Sequence, residues 1–148
     1  MEDPDSLTEL FRRHGLKVTP QRQCIFQILH ANPTHPTAEA IYAAARARMP
    51  TISLKTVYET LHGLAALDQI HQLDLGTGSS RFDPLVHPHH HLVCASCGRV
   101  ENVDVDLDAM SLTAAQRQGF VIRQAEIILH GVCPDCRARG DGEKDRDG

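Results

Sequence analysis

The chain has 148 residues and a mass of 16.4 kDa, which suits one domain or two small ones. Apolar residues make up 41% of the chain, but aromatic residues only 4%, so the hydrophobic core is expected to be modest. Small domains with a modest core are often stabilised further by a metal ion or by dimerisation. No apolar run fits a secretory signal or a membrane-spanning helix. We therefore expect a cytoplasmic protein whose five cysteines stay reduced.

Four helices are predicted in the first half of the chain from capping residues, prolines and apolar spacing. They span residues 4–14, 20–30, 37–49 and 53–67. The segments QIHQLDL and RFD, which flank the turn-rich GTGSS, predict a β-hairpin. Helices followed by such a hairpin are typical of a winged helix-turn-helix, whose last helix enters the major groove of DNA.

The fourth helix has two distinct faces. Val57, Leu61 and Leu64 form an inward stripe, while Lys55 and Tyr58 face away from it. An ordinary amphipathic surface helix has the same pattern, so the pattern alone leaves DNA binding open. Because the net charge is −4, a DNA-binding surface has to concentrate its cations on one face.

Four of the five cysteines form two CxxC units separated by 35 residues, and these are Cys94, Cys97, Cys133 and Cys136. Two such turns supply the four thiolates of a closed tetrahedral zinc site, which is structural because no coordination position stays open. The alternatives are a redox-active pair, which needs only one CxxC, and chance. Cys24 has apolar neighbours at helical spacing, so core packing is its expected role.

Six motifs in chain order carry a resemblance to a known family: GLKVTPQR, HPTAEAIY, TVYETL, SSRFD, HHHLVCASCG and HGVCPDC. The chain resembles the ferric uptake regulator (Fur) family and, within it, is most similar to the peroxide-sensing PerR/CatR-like branch. The resemblance implies an α+β fold with a winged helix-turn-helix in residues 1–84. It further implies a small α/β dimerisation domain with the four-cysteine zinc site in residues 85–137, and we expect residues 138–148 to be disordered.

The resemblance also implies a second, regulatory metal ion. Its ligands would be His35, Asp83, His89 and His91. Three imidazoles and a carboxylate make a sulfur-free site that suits Fe(II), Mn(II), Ni(II) or Zn(II) and exchanges its ion more readily than a thiolate site does. Because these ligands come from both halves of the chain, one ion would tie the halves together and favour the DNA-binding state.

A fifth regulatory ligand is less well defined. Asn102 stands where peroxide-sensing relatives have an aspartate, and its neutral amide is a weak ligand. Asp104 is the alternative, since it lies on the same strand face as Asn102. A further metal site of the family is incomplete, with Pro88 and Ala125 in place of histidines. We therefore expect His90 to be solvated or locally packed.

The resemblance implies a homodimeric, metal-dependent transcriptional repressor that binds double-stranded palindromic operator DNA. It does not imply an enzyme. Asp83, where iron-sensing relatives more often have glutamate, favours sensing of hydrogen peroxide. In that mechanism, peroxide oxidises His35 or His89 through the bound Fe(II), and the protein releases DNA. The alternatives are a repressor that senses the level of iron, zinc or nickel, and a zinc-ribbon interaction module.

Four residues are predicted to contact DNA. By resemblance, Lys17 reaches an A/T-rich minor groove and Tyr58 touches base edges from the fourth helix. Lys55 and Thr56 lie near the start of the same helix and complete the predicted set. Glu59, at a position where relatives can carry an arginine, leaves the operator preference open.

Overall fold

The protein is described here by a computed structural model, which covers residues 1–30, 32–76, 78–87, 89–106, 111–123 and 125–141. The chain divides into two compact units, Met1–Val86 and His87–Gly148, which we call unit 1 and unit 2. No helix among the described residues is long and apolar enough to cross a membrane.

Unit 1 consists of four helices followed by a two-stranded hairpin. The helices are α1 (Pro4–Arg13), α2 (Pro20–His30), α3 (Ala38–Arg48) and α4 (Leu54–Ala66), and the antiparallel strands are β1 (His71–Leu73) and β2 (Arg81–Asp83). Asp3, Thr37 and Ser53 cap α1, α3 and α4, because each side chain accepts hydrogen bonds from the first turn of its helix.

The core of unit 1 is one cluster of buried apolar side chains contributed by all four helices and by β2. At its centre, Phe11 and Phe26 pack edge to face with ring centroids 4.9 Å apart. Gly63 lies beside this pair, since a Cβ there would come within 3.3 Å of the Phe11 ring. The apolar stripe of α4, which contains Val57, Leu61 and Leu64, is fully buried as predicted.

Unit 2 is built on a small mixed sheet in the order β4-β3-β5. Its elements are β3 (His90–Cys94), β4 (Val100–Val103), α5 (Ala114–Arg117), β5 (Ile128–Gly131) and α6 (Pro134–Ala138). Strand β3 pairs antiparallel with β4 and parallel with β5. The turn after β3 and the start of α6 therefore come together at one end of the sheet.

The predicted α+β class is confirmed, and helices followed by a hairpin precede the small sheet as expected. The proposed boundary at 84/85 remains a prediction. For the predicted disordered tail, Ala138 is the last residue of α6 and the described chain continues to Asp141. Residues 142–148 of that tail lie outside the described residues.

Candidate metal centres and DNA-binding helix

The four predicted zinc ligands lie together at one end of the unit 2 sheet. The sulfur atoms of Cys94, Cys97, Cys133 and Cys136 all lie within 4.8 Å of one another. Cys97 Sγ and Cys133 Sγ are 3.7 Å apart. Zinc–sulfur bonds of about 2.3 Å place the corners of a tetrahedral site roughly 3.8 Å apart, so the cluster fits a zinc ion.

The protonation properties of these thiols differ within the cluster. The backbone N–H of Cys133 donates to Cys94 Sγ at 3.3 Å, and this bond is the main reason that the pKa of Cys94 falls to about 6. Burial is the main cause that raises the pKa of Cys136 to about 12. Arg139 also donates to Cys136 Sγ at 3.0 Å. A bound zinc ion would hold all four sulfurs as thiolates.

Unit 1 brings two of the predicted regulatory ligands together. His35 Nε2 lies 3.1 Å from Asp83 Oδ2, and the two side chains are 2% and 1% exposed. Metal bonds of about 2.1 Å to nitrogen and oxygen place adjacent ligands of one ion roughly 3 Å apart, so this pair fits two neighbouring positions on a metal ion.

Backbone contacts position this pair. The Phe82 N–H donates to the Pro36 carbonyl at 3.0 Å, and Thr37 forms an isolated bridge with Arg81, so the start of α3 is joined to β2. His35 itself has a left-handed backbone with a φ of 51°, which is uncommon for a residue other than glycine. Its side chain is thereby fixed beside Asp83.

Unit 2 brings the other two predicted ligands together. The rings of His89 and His91 have centroids 4.6 Å apart; His91 is buried and His89 is half-buried. His89 Nδ1 lies 2.8 Å from the backbone carbonyl of His87. His91 Nδ1 lies 3.1 Å from Glu126 Oε1. Each half therefore offers only nitrogen and oxygen donors, which suits Fe(II) or Mn(II).

The two candidates for a fifth ligand are both exposed. Asn102 is the register partner of His91 in the β3–β4 pair. Asp104 lies just after β4 and shares the strand face of Asn102. The assignment of either residue stays a prediction. His90 was expected to be solvated or locally packed, and the structure places it in a buried position, where its Nδ1 accepts a hydrogen bond from Ile127 N at 3.1 Å.

The predicted DNA-contacting residues of unit 1 include three on α4. Lys55 is 83% exposed and lies 3.6 Å from Glu59. The Thr56 hydroxyl lies 2.9 Å from that of the capping Ser53. The Tyr58 hydroxyl donates to Glu39 at 2.9 Å, which raises the pKa of Tyr58. To contact these three side chains, DNA would have to compete with their present ion-pair and hydrogen-bond partners.

Lys17 precedes α2 and is exposed. Its backbone carbonyl accepts from the Arg22 guanidinium at 2.6 Å, so the chain around it is held while its ammonium faces solvent. This exposed position is compatible with the predicted DNA contact, which stays a prediction.

The model of one protein family, described as the ferric uptake regulator family, matches residues 13–130. The chain belongs to this family. It is 37% identical over 134 residues to the peroxide-responsive repressor PerR of Staphylococcus saprophyticus and 36% identical over 135 residues to the transcriptional regulator FurA of Mycobacterium bovis, with 90% of each chain covered in both cases. A solved structure of the Helicobacter pylori ferric uptake regulator shares the fold, with a TM-score of 0.77 and 21% identity over 90% of both chains.

Membership in the Fur family settles several predictions. Fur-family proteins are metal-responsive transcription regulators that bind DNA as dimers, and they are not enzymes. The winged helix-turn-helix and the small dimerisation domain with its four-cysteine site are confirmed as the fold. The family's cofactors, structural zinc and a regulatory Fe(II) or Mn(II), confirm the cofactor prediction.

Sequence reasoning did not find two acidic residues of these sites. Glu39 lies 19 residues before Tyr58, and Glu126 lies 35 residues after His91. Glu39 lies within the HPTAEAIY motif and Glu126 lies outside the six motifs, but no motif indicates either contact, because both contacts depend on tertiary packing. The only available signal for Glu126 was its position shortly before the second CxxC.

Proposed function

We propose that this Fur-family protein is a homodimeric repressor that responds to hydrogen peroxide. The observation that carries the proposal is the buried His35–Asp83 pair, with nitrogen and oxygen atoms 3.1 Å apart and no sulfur donor. Such donors suit a redox-active Fe(II) ion that exchanges readily. The similarity to PerR of Staphylococcus saprophyticus, a peroxide-responsive repressor, supports the same conclusion.

The regulatory ion is held by His35, Asp83, His89 and His91, with Asn102 or Asp104 as a fifth ligand. The proposal draws on the donor chemistry of each half and on family membership. Bound Fe(II) would supply the redox chemistry that breaks the O–O bond of hydrogen peroxide, and the two electrons that reduce the peroxide come in net from a neighbouring imidazole. One oxygen atom of the peroxide is added to the ring, and the other leaves as water.

His35 and His89 are the oxidation-sensitive residues. An added ring oxygen removes the aromatic character of the imidazole, so the altered side chain binds the ion more weakly. Since the ion stabilises the DNA-binding state, its loss shifts the population away from that state. The response consumes one side chain for each event, and it is therefore not catalytic turnover.

The DNA ligand is a double-stranded palindromic operator, read in the cytoplasm by a symmetric dimer. Lys17, Lys55, Thr56 and Tyr58 form the DNA contacts, with α4 in the major groove. The exposed apolar residues Phe120 and Val121 of unit 2, at 76% and 87% exposure, are suited to burial in the dimer.

Sensing of the iron level is the second candidate function. The matching family is described as the ferric uptake regulator family, and Asn102 removes one negative charge from the predicted site. A less negative site binds Fe(II) more weakly and would respond to changes in the concentration of the ion itself. Zinc or nickel sensing would follow the same logic with a different ion.

The deciding experiment loads the zinc-containing protein with Fe(II) under anaerobic conditions and adds a brief, near-stoichiometric pulse of peroxide. Peptide mass spectrometry and a gel shift are then performed on the same sample. We expect a one-oxygen gain on the peptide that contains His35 or His89, together with release of DNA. The Mn(II)-loaded protein is the matched control and should keep both its histidines and its DNA.

Peptides that contain the exposed His130 provide an internal control and should stay unmodified. Intact His35 and His89 after the pulse, with DNA binding that still depends on metal, would establish the iron-level sensor instead. DNA binding that is the same with and without a chelator would refute both candidates.

A further inference from the structure

The imidazole of His91 has an acidic neighbour from the segment just before β5. Glu126 Oε1 lies 3.1 Å from His91 Nδ1, and the side chains are 37% and 2% exposed, respectively. In the parallel β3–β5 pair, His91 is the register partner of Ile128. Glu126 lies two residues before Ile128, so both side chains emerge on the face of the sheet that carries His91.

The segment around Glu126 is held by hydrogen bonds of its neighbour Ile127. The Ile127 carbonyl accepts from the backbone N–H of His91 at 3.0 Å. Its backbone N–H donates to Nδ1 of the buried His90 at 3.1 Å. Because Ile127 is hydrogen-bonded at both its N–H and its carbonyl, the backbone on the C-terminal side of Glu126 is held close to β3.

His89 and His91 each have an oxygen atom close to Nδ1, in a hydrogen bond for His89 and in an ion-pair contact for His91. His89 has its Nδ1 2.8 Å from the carbonyl oxygen of His87, and His91 has its Nδ1 3.1 Å from the Glu126 carboxylate. An oxygen beside Nδ1 favours the tautomer with the proton on Nδ1, which leaves the Nε2 lone pair for a metal ion. Metal-binding histidines in proteins usually have such an oxygen partner at the second nitrogen.

Because the predicted regulatory site has little negative charge, the carboxylate of Glu126 can strengthen the binding of a cation there. Among the four predicted ligands, only Asp83 carries a negative charge, and Asn102 is neutral. The Glu126 carboxylate adds a negative charge beside His91. This charge makes the imidazole a better electron donor and attracts a cation.

We propose that Glu126 is a positioning residue of the regulatory metal site, which holds His91 as the Nδ1–H tautomer and supplies the negative charge that Asn102 lacks. The inference rests on the proposed function, because it concerns the same ion. It assigns a role to a residue outside the six candidate ligands. Glu126 acts through His91 and does not need to touch the ion.

The test measures Mn(II) binding by three variants of the full-length, zinc-containing protein. Mn(II) is the probe because it binds without oxidising the histidines. Glu126→Gln keeps an oxygen but loses the charge, and Glu126→Asp keeps the charge. Glu101→Gln is the matched control, since Glu101 is also an acidic residue of the unit 2 sheet but is paired with Arg99 at 2.7 Å and lies in register with Leu92.

Two quantities are measured: the Mn(II) dissociation constant, and the ¹⁵N chemical shifts of the His91 ring before Mn(II) is added. We expect Glu126→Gln to weaken Mn(II) binding about 10-fold to 100-fold, the usual loss when such a partner is removed. Its His91 shifts should move toward the Nε2–H tautomer, and Glu126→Asp should restore both readings in part. Glu101→Gln should match the wild type, and zinc content should be equal throughout.

Equal Mn(II) affinity and equal His91 shifts in Glu126→Gln and Glu101→Gln would overturn the inference. The proposed function would survive that result if His89→Ala abolished Mn(II) binding and metal-dependent DNA binding. A wild-type protein that binds no ion besides zinc would overturn the inference and the proposed function together.

Discussion

Unit 1 buries sixteen apolar side chains in one cluster, whereas the buried side chains among the described residues of unit 2 are two histidines, two valines and two cysteines. A chain segment with so few buried apolar groups gains little from the hydrophobic effect and needs a metal ion or a partner subunit to stay folded. The comparison teaches that the two units depend on different interactions. Unit 1 depends on its own core, and unit 2 depends on its cysteine cluster.

The largest expected effect is the loss of zinc. Cys136→Ser removes a buried ligand, and structural zinc sites contribute an apparent 10–16 kcal/mol, roughly, to the folding of small domains at pH 7. We expect the amide signals of unit 2 to collapse in a ¹H–¹⁵N spectrum while those of unit 1 stay dispersed. Elemental analysis should find no zinc. Cys24→Ser, in the core of unit 1, is the control that keeps its zinc, and a Cys136→Ser protein with a full complement of zinc would contradict the comparison.

A substitution in the apolar core should lower the free energy of unfolding of unit 1 without affecting zinc binding by unit 2. Leu61 is fully buried in the α4 stripe, and Leu61→Ala should cost about 2–5 kcal/mol through lost burial and the cavity left behind. Chemical denaturation followed by the amide signals of unit 1 measures this loss, while zinc content should not change. Leu85→Ala, at a position that is 38% exposed, should differ from the wild type by no more than about 0.5 kcal/mol. Equal losses in the two variants would refute the assignment of the core.

The smallest expected effect concerns the cap of α1. The Asp3 carboxylate accepts from the Ser6 hydroxyl at 2.6 Å and from the N–H groups of Ser6 and Asp5, and the Ser6 hydroxyl is the main cause that lowers its pKa below 3.8. Because the pKa is lower in the folded state, the stabilisation is present above pH 3.8 and disappears as the pH falls through the folded value.

Hydrogen exchange of the α1 amides in Asp3→Ala and in the wild type measures this effect across the pH range. At pH 7, the variant should exchange faster in α1. The difference should disappear in acid, where both proteins lack the charged cap. A difference that persisted unchanged below the folded pKa would show that the carboxylate charge is not what stabilises the helix.

Local signals in the sequence explain why much of unit 1 could be predicted. Ser53 and Pro4 define the starts of α4 and α1 within a residue, because capping and proline preferences act on neighbouring positions. The hairpin strands follow from the turn between them. The four cysteines were also predictable, since the spacing of a CxxC unit reflects metal geometry.

The contacts that sequence reasoning missed join residues far apart in the chain. Glu126 meets His91 only because β5 pairs parallel to β3 in one particular register, and a shift of one residue would turn its side chain to the other face. The Tyr58–Glu39 hydrogen bond similarly depends on how α4 packs near α3. Neither the register nor the packing is encoded in a short motif.

The parallel pairing of β3 with β5 also sets an order of events during synthesis. Strand β3 and its antiparallel partner β4 are close in sequence, but β5 and the second CxxC follow only after a long connection, with 35 residues between the two cysteine pairs. All residues of unit 1 leave the ribosome earlier and can bury their core at once. A nascent chain can therefore fold unit 1 before the four cysteines of unit 2 can come together.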